Sequence, residues 1–366
     1  MRQRRNVVLA VPLAMSLILA SCQKEKPVRQ AVKLRTMEGY PANVVSNLQN
    51  RRMQLSGTQA RFSVARFQQM ITVSKTWKPG EVITVAFNGG SPTLRQEIAT
   101  AAKPWTEVAD ITFDFGDSAG RGTFREWTAS DVDYKAEIRI SFGSKGEWSL
   151  VGRDGTDKSI VSPNEASMNF QAFDQSLPLD WQATVLHEFG HALGFEHEHQ
   201  IPLSACQTDF RWDDDPGYVP TRDVYGQYVP DDNDRNPGLY TVLQGPPNNW
   251  SKETIDFNLK EIAFTKDTRL TPFDKLSIMK YYFESWMFRN GDHSLCYGPE
   301  NVALSEDDKK VAAEVYPRSP ALMKAALDEK IRALDTLSQD KGLPNDIRMA
   351  YQKNSHLLAV QKARLN

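Results

Sequence analysis

The spacing of apolar and polar positions predicts alternating strands and helices in the first half of the chain. Four runs have the β-rich composition or the alternation of strands: residues 82–87, 111–115, 137–142 and 167–170. Residues 93–108 repeat apolar positions at helical spacing, although Pro104 interrupts this helix and could kink it. A second helix is predicted from Asp180 or Trp181 to a stop at Gly194. This order predicts an α/β (α+β) fold with helices against a twisted sheet.

The pattern changes after residue 199. Residues 202–247 are dense in Asp, Pro, Gly and Asn, which predicts mostly loop. Helices are expected over residues 251–262, with Ser251 as N-cap, and from residue 305 to Tyr316. From Ala321 onward, Leu and Ala at helical spacing predict one or two amphipathic helices.

The first 22 residues have the pattern of an export signal. A basic stretch precedes an apolar stretch from Val7 to Ala20, which is shorter than a typical membrane span. This stretch ends in Leu19-Ala20-Ser21-Cys22, which resembles the lipobox of bacterial lipoproteins, where the cysteine is acylated and cleavage falls just before it. Residues 1–21 are therefore predicted to be a lipoprotein signal peptide that leaves a lipid on Cys22. The alternative is an ordinary secretory signal with an incidental cysteine.

Composition and charge limit the possible partners. The formal net charge is -2, and cations are not clustered after the extreme N-terminus, which argues against a nucleic-acid binder. Two acidic runs, residues 213–215 and 231–234, could ligate calcium, but neither matches a known calcium loop, so solvated turns are favoured. Export leads to an oxidising compartment, where Cys206 and Cys296 are expected to form a disulfide. Two buried free thiols are the alternative.

The most informative segment is His187-Glu188-Phe189-Gly190-His191-Ala192-Leu193-Gly194-Phe195-Glu196-His197. Residues i and i+4 share one face of a helix, so His187 and His191 can bind one metal ion together. Gly194 permits the left-handed turn that ends a helix, after which the chain can deliver His197 as a third ligand. Three protein ligands with one open position are typical of a catalytic zinc site. His199 ranks below His197 because its spacing from the pair differs from the motif.

Glu188 lies one step round the helix from His187. In that place it can act as general base on a zinc-activated water without binding the metal. The motif therefore predicts hydrolysis with Glu188 as the proton acceptor.

These eleven residues match the signature of the metzincin zinc peptidases. Ser277-Ile278-Met279-Lys280-Tyr281 resembles the Met-containing turn that this clan places beneath the zinc. The resemblance is closest to the astacin family, because Glu198 follows the third histidine and Tyr281 follows Met279 by two positions. The chain is similar to bacterial astacin-like (matrixin-like) peptidases over about residues 77–317. It departs from them at Lys280, where astacins often have His, and in lacking an astacin-like pro-segment aspartate motif upstream.

The resemblance implies a metzincin-type zincin. Such a fold has a twisted, mostly parallel sheet and two helices in an N-terminal subdomain, with an irregular C-terminal subdomain below the zinc cleft. It implies one catalytic Zn2+ ion held by His187, His191 and His197. Met279 would be the turn methionine, and Tyr281 could act as a fourth zinc ligand or donate a hydrogen bond to the oxyanion. The expected boundaries are 1–21 for the lipoprotein signal peptide, 22–75 for a tether or pro-segment, 76–318 for the metzincin protease domain and 319–366 for a C-terminal helical extension.

The sequence therefore predicts a zinc metalloendopeptidase that acts on proteins or peptides. We expect a monomer, exported to the bacterial cell envelope as a lipoprotein anchored through Cys22, and otherwise secreted. An extended substrate should pair with an edge strand, at residues 137–142 or in the segment after them. One alternative is a catalytically inactive zinc-binding surface lipoprotein that acts as a binding module, although the intact Glu188 argues against it. Another is a zinc enzyme that acts on a non-peptide bond.

Overall fold

The computed structural model describes residues 38–55, 70–117, 122–202, 204–262, 268–270 and 273–365. The predicted signal peptide, residues 1–21, and Cys22 lie outside these ranges. The described residues belong to one compact unit. None of the helices in these ranges combines the length and the apolar character that a membrane-spanning segment needs.

One five-stranded sheet organises the first half of the chain. The strands of the described residues are β1 (Met70–Thr72), β2 (Glu81–Asn88), β3 (Ile111–Asp114), β4 (Ile138–Ser141), β5 (Glu147–Ser149), β6 (Met168–Phe170), β7 (Thr221–Arg222), β8 (Tyr228–Val229) and β9 (Thr268–Leu270). The order in the main sheet is β3–β2–β4–β6–β5, in which β5 alone runs antiparallel to its neighbour. The predicted mixed fold with a mostly parallel sheet is thus confirmed. Two small ribbons, β1–β9 and β7–β8, were not predicted.

Strand β2 lies inside the sheet because its side chains are apolar on both faces. Ile83, Val85 and Phe87 are buried against the helices, and Ala86 is buried on the opposite face with Trp127. A strand buried on both faces is typical of parallel sheets covered on two sides.

Strand β5 is an edge of this sheet. It pairs with β6, with Trp148 opposite Asn169, and no strand of the described residues pairs with its other side. Strand β4, in contrast, pairs with both β2 and β6. The expectation that residues 137–142 could be the edge is therefore wrong, because these residues are enclosed by two neighbours. The edge is formed by the segment after them.

The helices of the described residues are α1 (Ala42–Leu55), α2 (Pro92–Val108), α3 (Trp181–Ala192), α4 (Cys206–Asp209), α5 (Leu239–Gln244), α6 (Lys252–Leu259), α7 (Glu306–Val315), α8 (Pro320–Ser338) and α9 (Asn345–Ala363). Helices α2, α6 and α7 begin with serine side chains that cap their first turn. The hydroxyl of Ser91 caps the first turn of α2, and Pro104 lies inside this helix without ending it. Helix α7 begins with a reciprocal capping box between Ser305 and Asp308. Helices α2 and α3 share the main hydrophobic core with the sheet.

The segment between α3 and α7 has short elements and a core of its own. A disulfide joins Cys206 to Cys296, and both are buried in a cluster with Phe210, Phe283 and Phe288. This cluster stabilises a segment that has little regular hydrogen bonding.

The acidic runs in this segment accept backbone hydrogen bonds. Asp231 is buried and accepts from the backbone N–H groups of Val219, Asn233 and Arg235. Asp214 and Asp215 each accept a backbone N–H from residues 236–238. The group of potential metal ligands found among the described residues does not include them. These carboxylates hold turns through the hydrogen bonds that they accept.

The C-terminal helices contact the rest of the fold near residue 76. Helices α8 and α9 pack together through Leu327, Leu334 and Leu358. Lys330 of α8 is buried, and its Nζ donates to the backbone carbonyl and to the hydroxyl of Thr76. Strand β1, just before this point, pairs with β9 of the later half of the chain.

Candidate metal centre and active site

Three histidine side chains converge at the end of α3. His187 and His191 lie one turn apart on this helix. Gly194, with φ of 99°, lets the chain turn back and bring in His197. The Nε2 atoms of His191 and His197 are 2.9 Å apart, and the ring centroids of the three histidines lie 4.3 to 5.4 Å from one another. The structure thus brings together the three histidines proposed from the motif.

The other ring nitrogen of each histidine is held by an oxygen acceptor. The pairs are His187 Nδ1 with Ile278 O (2.6 Å), His191 Nδ1 with Phe195 O (2.6 Å) and His197 Nδ1 with Gln200 Oε1 (2.9 Å). These oxygens can only accept, so each Nδ1 carries the proton. Each Nε2 therefore presents its lone pair to the centre, which is the tautomer that a metal needs.

Gln200 is a functional residue that sequence reasoning missed. Its Nε2 donates to the carbonyl oxygens of Phe257 (2.8 Å) and Lys260 (3.0 Å) at the end of α6. These two bonds fix the amide so that its oxygen faces His197. The one signal in the sequence is a neutral amide three positions after the third histidine.

A carboxylate from the N-terminal segment completes the cluster. Glu38 Oε2 lies 2.8 Å from Nε2 of His187 and 2.9 Å from Nε2 of His197, and its Oε1 lies 3.3 Å from Nε2 of His191. Burial by itself would raise the pKa of Glu38, but attraction to the three histidines in their protonated form lowers this pKa well below its usual range. Sequence reasoning missed Glu38 because it lies in a polar stretch that has no recognised motif.

The cluster fits a zinc ion. Three imidazole nitrogens and a carboxylate oxygen are usual zinc donors, and the four ligand atoms lie within 4.8 Å of one another. Oε1 of Glu38 is buried and has no hydrogen-bond donor among the described residues. A cation at this point would satisfy that oxygen and the three lone pairs together.

Glu188 lies beside the cluster without belonging to it. Its side chain is buried, and its Oε2 has no hydrogen-bond partner among the described residues. Burial raises the pKa of Glu188 well above its usual range, and the nearby Glu38 and Glu147 raise this pKa further. A carboxylate in such surroundings readily accepts a proton.

The turn at residues 277–281 forms the floor of the site. A Cβ atom at position 190 would lie 2.3 Å from the sulfur of Met279, so this point of α3 has room for glycine alone. The buried Asp308 accepts hydrogen bonds from the Ser277 hydroxyl (2.6 Å) and the Ile278 N–H (2.9 Å). Helix α7 thus anchors the turn through Asp308, a contact that sequence reasoning also missed.

Tyr281 lies at the side of the histidine cluster. Its ring centroid is 4.3 Å from that of His197, and its hydroxyl donates to the backbone carbonyl of Glu38 at 3.2 Å. His199 is buried nearby, but its Nε2 donates to the carbonyl oxygen of Asn258, so it stands outside the cluster.

Residues 38–40 of the N-terminal segment occupy a groove between β5 and the segment that joins α3 to α7. The backbone N–H of Gly39 donates to Glu147 O at 3.4 Å, and the hydroxyl of Tyr40 donates to Ser149 O at 2.9 Å. A Cβ atom at position 39 would lie 2.6 Å from the ring of Trp250. The segment therefore follows the edge strand away from the histidine cluster.

No protein-family model matches the chain, and a search of curated proteins finds no match. Among solved structures, the chain is similar to myroilysin, with 33% identity over 68% of this chain and 99% of the myroilysin chain, and a TM-score of 0.50. Another crystal structure of myroilysin has 29% identity over 78% of this chain and 100% of that one, with a TM-score of 0.43. High choriolytic enzyme 1, a hatching-enzyme zinc-protease from the medaka fish Oryzias latipes, has 16% identity, covers 70% of this chain and 98% of its own, and has a TM-score of 0.37.

Proposed function

Since this chain belongs to the astacin-like family of zinc metalloproteases, we propose that it is an exported, lipid-anchored endopeptidase, held latent by its own N-terminal segment. The chain is a zinc endopeptidase with one catalytic Zn2+ ion, and its substrates are proteins or peptides. The observation that carries the proposal is the convergence of three histidine Nε2 atoms on one point beside Glu188.

The proposed mechanism assigns a task to each side chain. His187, His191 and His197 would hold the zinc ion, which when bound supplies a Lewis acid that polarises the scissile carbonyl and acidifies water. Glu188 takes a proton from the attacking water and passes it to the leaving amine. The phenol of Tyr281 donates a hydrogen bond to the oxyanion. In support, its hydroxyl already donates to a backbone carbonyl beside the cluster, that of Glu38.

The test takes the Glu38→Ala chain as parent, since it lacks the carboxylate that blocks the cluster, and compares it with the same chain carrying Glu188→Ala on unfolded casein, with and without a chelator. We expect about one zinc per chain in both proteins, but no cleavage by the variant, because the water has lost its proton acceptor. Absence of zinc from the parent would overturn the metal site, and near-parent cleavage by Glu188→Ala would remove Glu188 from the mechanism. Bound zinc without cleavage by any form of the protein would favour the inactive binding module.

We propose that residues 22–75 act as a pro-segment rather than a simple tether. The carboxylate of Glu38 lies where the three histidines present their lone pairs, and residues 39 and 40 follow the edge strand that an extended substrate would use. A substrate carbonyl could not reach the cluster while Glu38 stays there. Residues 76–318 would be the protease domain and residues 319–366 its helical extension.

Latency is tested with the uncleaved full chain. Glu38→Ala should raise casein cleavage by about tenfold or more, because the cluster loses its carboxylate while Tyr40 and α1 keep their contacts. Asn50→Ala, an exposed position on α1, is the matched control and should stay latent. An uncleaved Glu38→Ala protein as inactive as the parent would contradict the pro-segment, provided that the processed enzyme is active.

We propose that the mature chain acts as a monomer at the cell envelope through a lipid on Cys22. The lipobox-like Leu19-Ala20-Ser21-Cys22 supports this, and the disulfide between Cys206 and Cys296 fits an oxidising compartment. Mass spectrometry of the mature N-terminus should find acylated Cys22 and, in Cys22→Ser, no lipid. An unmodified N-terminus elsewhere would replace lipid anchoring by plain secretion.

A further inference from the structure

Tyr40 lies two residues from the histidine cluster. Glu38 contacts all three histidines, and two residues of extended chain span at most about 7 Å. The Cα of Tyr40 therefore lies within about 7 Å of the Cα of Glu38, whose carboxylate stands where a peptide bond would be cut. The residues that surround the Tyr40 ring are therefore placed to contact a substrate side chain.

The pocket around Tyr40 is built from both walls of the groove. The ring centroid of Tyr40 is 6.2 Å from that of Trp148 on β5 and 6.0 Å from that of Phe257 on α6, with interplanar angles of 56° and 78°. These tilted and edge-on arrangements are favourable for aromatic pairs. At the end of the pocket, the carbonyl of Ser149 accepts the Tyr40 hydroxyl. Trp148, Phe257 and the Ser149 carbonyl are called the Tyr40 pocket below.

The walls of the Tyr40 pocket are formed by residues outside the N-terminal segment. Trp148 and Phe257 are both buried, and their elements belong to the body of the protease. Phe257 is also tied to the metal site, since its carbonyl accepts from Gln200, which holds His197. Among the described residues, the indole N–H of Trp148 finds no acceptor although it is buried. The pocket offers aromatic walls and one hydrogen-bond acceptor, the carbonyl of Ser149.

The groove is narrow between the cluster and the pocket. The ring of Trp250 leaves no room for a Cβ at position 39. The backbone at Gly39 is held to the edge strand by its bond to Glu147 O. A chain lying along β5 thus meets a position for a small residue and then a position for a large one.

We infer that the Tyr40 pocket is a substrate subsite that selects an aromatic side chain within three residues of the scissile bond. This inference rests on the proposed endopeptidase function and adds its sequence preference. A substrate strand on the β5 edge would alternate its side chains, and one of them would enter between Trp148 and Phe257. The enzyme then prefers an aromatic residue next to a small one.

A simpler role for the pocket is to dock the pro-segment. Val44, Val45 and Leu48 of α1 belong to the same hydrophobic cluster as Trp148 and Phe257. If docking were its whole role, the cleaved substrates would show no preference for aromatic residues. The profile of cleavage sites therefore separates the two roles.

The experiment uses the full chain carrying Glu38→Ala and Tyr40→Ala, which removes the two side chains that occupy the histidine cluster and the pocket. Cleavage sites in a mixture of unbiased peptides are read by mass spectrometry. Aromatic residues should be enriched about tenfold at one position within three residues of the scissile bond, a ratio within the range for apolar pockets. Adding Phe257→Ala should abolish this enrichment and lower kcat/KM for the best aromatic peptide about tenfold, chiefly through KM.

The controls keep the test decisive. Leu322→Ala, an exposed position on α8, should leave the profile unchanged, and Phe257→Tyr should keep the preference because it keeps the ring. Phe257→Leu serves if Phe257→Ala fails to fold, since it removes the ring but keeps apolar volume. Efficient cleavage with no aromatic enrichment, or an enrichment that survives Phe257→Ala, would overturn the subsite while the endopeptidase stands. No cleavage by any zinc-bound form would overturn the proposed function, and the subsite with it.

Discussion

At the scale of single residues, the site depends on the hydrogen bonds that orient its histidines. Each Nδ1 has an oxygen acceptor, but two of these are backbone carbonyls and only Gln200 uses a side chain. Only this third contact can be removed by substitution. A substitution at Gln200 therefore changes the orientation of His197 without removing any of the three histidine ligands.

Gln200→Leu should weaken zinc binding by about 10- to 100-fold, because His197 loses the acceptor that fixes its ring and tautomer. Gln200→Glu is the matched control, since it keeps an oxygen acceptor for His197 while it loses the two donors to α6. Zinc competition with a fluorescent chelator measures the affinity. Equal zinc affinity in Gln200→Leu and the parent would show that the amide has no orienting role.

Tyr281→Phe should lower kcat by roughly 10^2-fold, about 3 kcal/mol, because the oxyanion loses one donor in a buried site. KM and zinc content should change little, since the bond strengthens in the transition state and three histidines still hold the metal. The measurement is steady-state kinetics on one peptide in the Glu38→Ala background. Tyr282→Phe, at the half-exposed neighbouring position, is the control. A kcat within about twofold of that background would exclude Tyr281 from the mechanism.

At the scale of elements, the floor of the site is held by a helix that lies more than 100 positions after the histidines in the chain. Asp308 caps α7 through Ser305 and also accepts from the Ser277 hydroxyl and the Ile278 N–H. One buried carboxylate thus joins the start of α7 to the turn that carries Met279 and Tyr281. The position of the turn depends on these hydrogen bonds of Asp308.

Asp308→Ala should lower the free energy of unfolding by about 3–5 kcal/mol, because it leaves three donors without their acceptor, and each such loss costs about 1–3 kcal/mol when buried. Glu306→Ala, an exposed position in the same helical turn, should cost less than about 0.5 kcal/mol. Urea unfolding of the full chain gives both values. If the two variants unfold at the same urea concentration, Asp308 does not hold the turn in place.

At the scale of the whole molecule, the C-terminal helices hold the beginning of the protease body through one buried ammonium group. The pKa of Lys330 is lowered to about 7, mainly by burial and also by the nearby Arg153, while Glu81 opposes this shift. Glu314 and Glu329 line the same small cavity. Next to Thr76, the indole of Trp77 donates to the carbonyl of Ala192 at the end of α3. Helix α8 is therefore linked to the end of α3 through two adjacent residues, Thr76 and Trp77.

Lys330→Met should change how stability depends on pH. The folded-state pKa of about 7 lies below the ordinary value of 10.5, so the unfolded chain binds more protons between these pH values. The free energy of unfolding of the parent should therefore rise with pH across this window, by at most about 1.4 kcal/mol per pH unit from this group. Lys330→Met should lack this rise, and Lys353→Met, at an exposed position on α9, should keep it. Urea unfolding between pH 7 and 9 measures the slopes, and parallel slopes for Lys330→Met and the parent would contradict the burial of the ammonium group.

The sequence by itself determined the features that arise between near neighbours in the chain. The i, i+4 spacing of His187 and His191, the turn at Gly194 and the third histidine all lie within eleven residues, so helix geometry brings them together without reference to the rest of the fold. The main strands and helices were predicted for the same reason, because their periodicity is local. The family and its zinc chemistry followed from these residues.

The tertiary structure alone decided which distant residues meet at this site. Glu38 contacts His187 across 149 positions, and Asp308 contacts Ser277 across 31. Strand β5 became the edge because β4 is enclosed by two partners, which the composition of residues 143–160 does not reveal. Periodicity reports which face of an element is buried but not which partner covers it. Those partners are chosen when the elements pack, and here that packing placed a carboxylate on the metal site and an aromatic ring in the groove beside it.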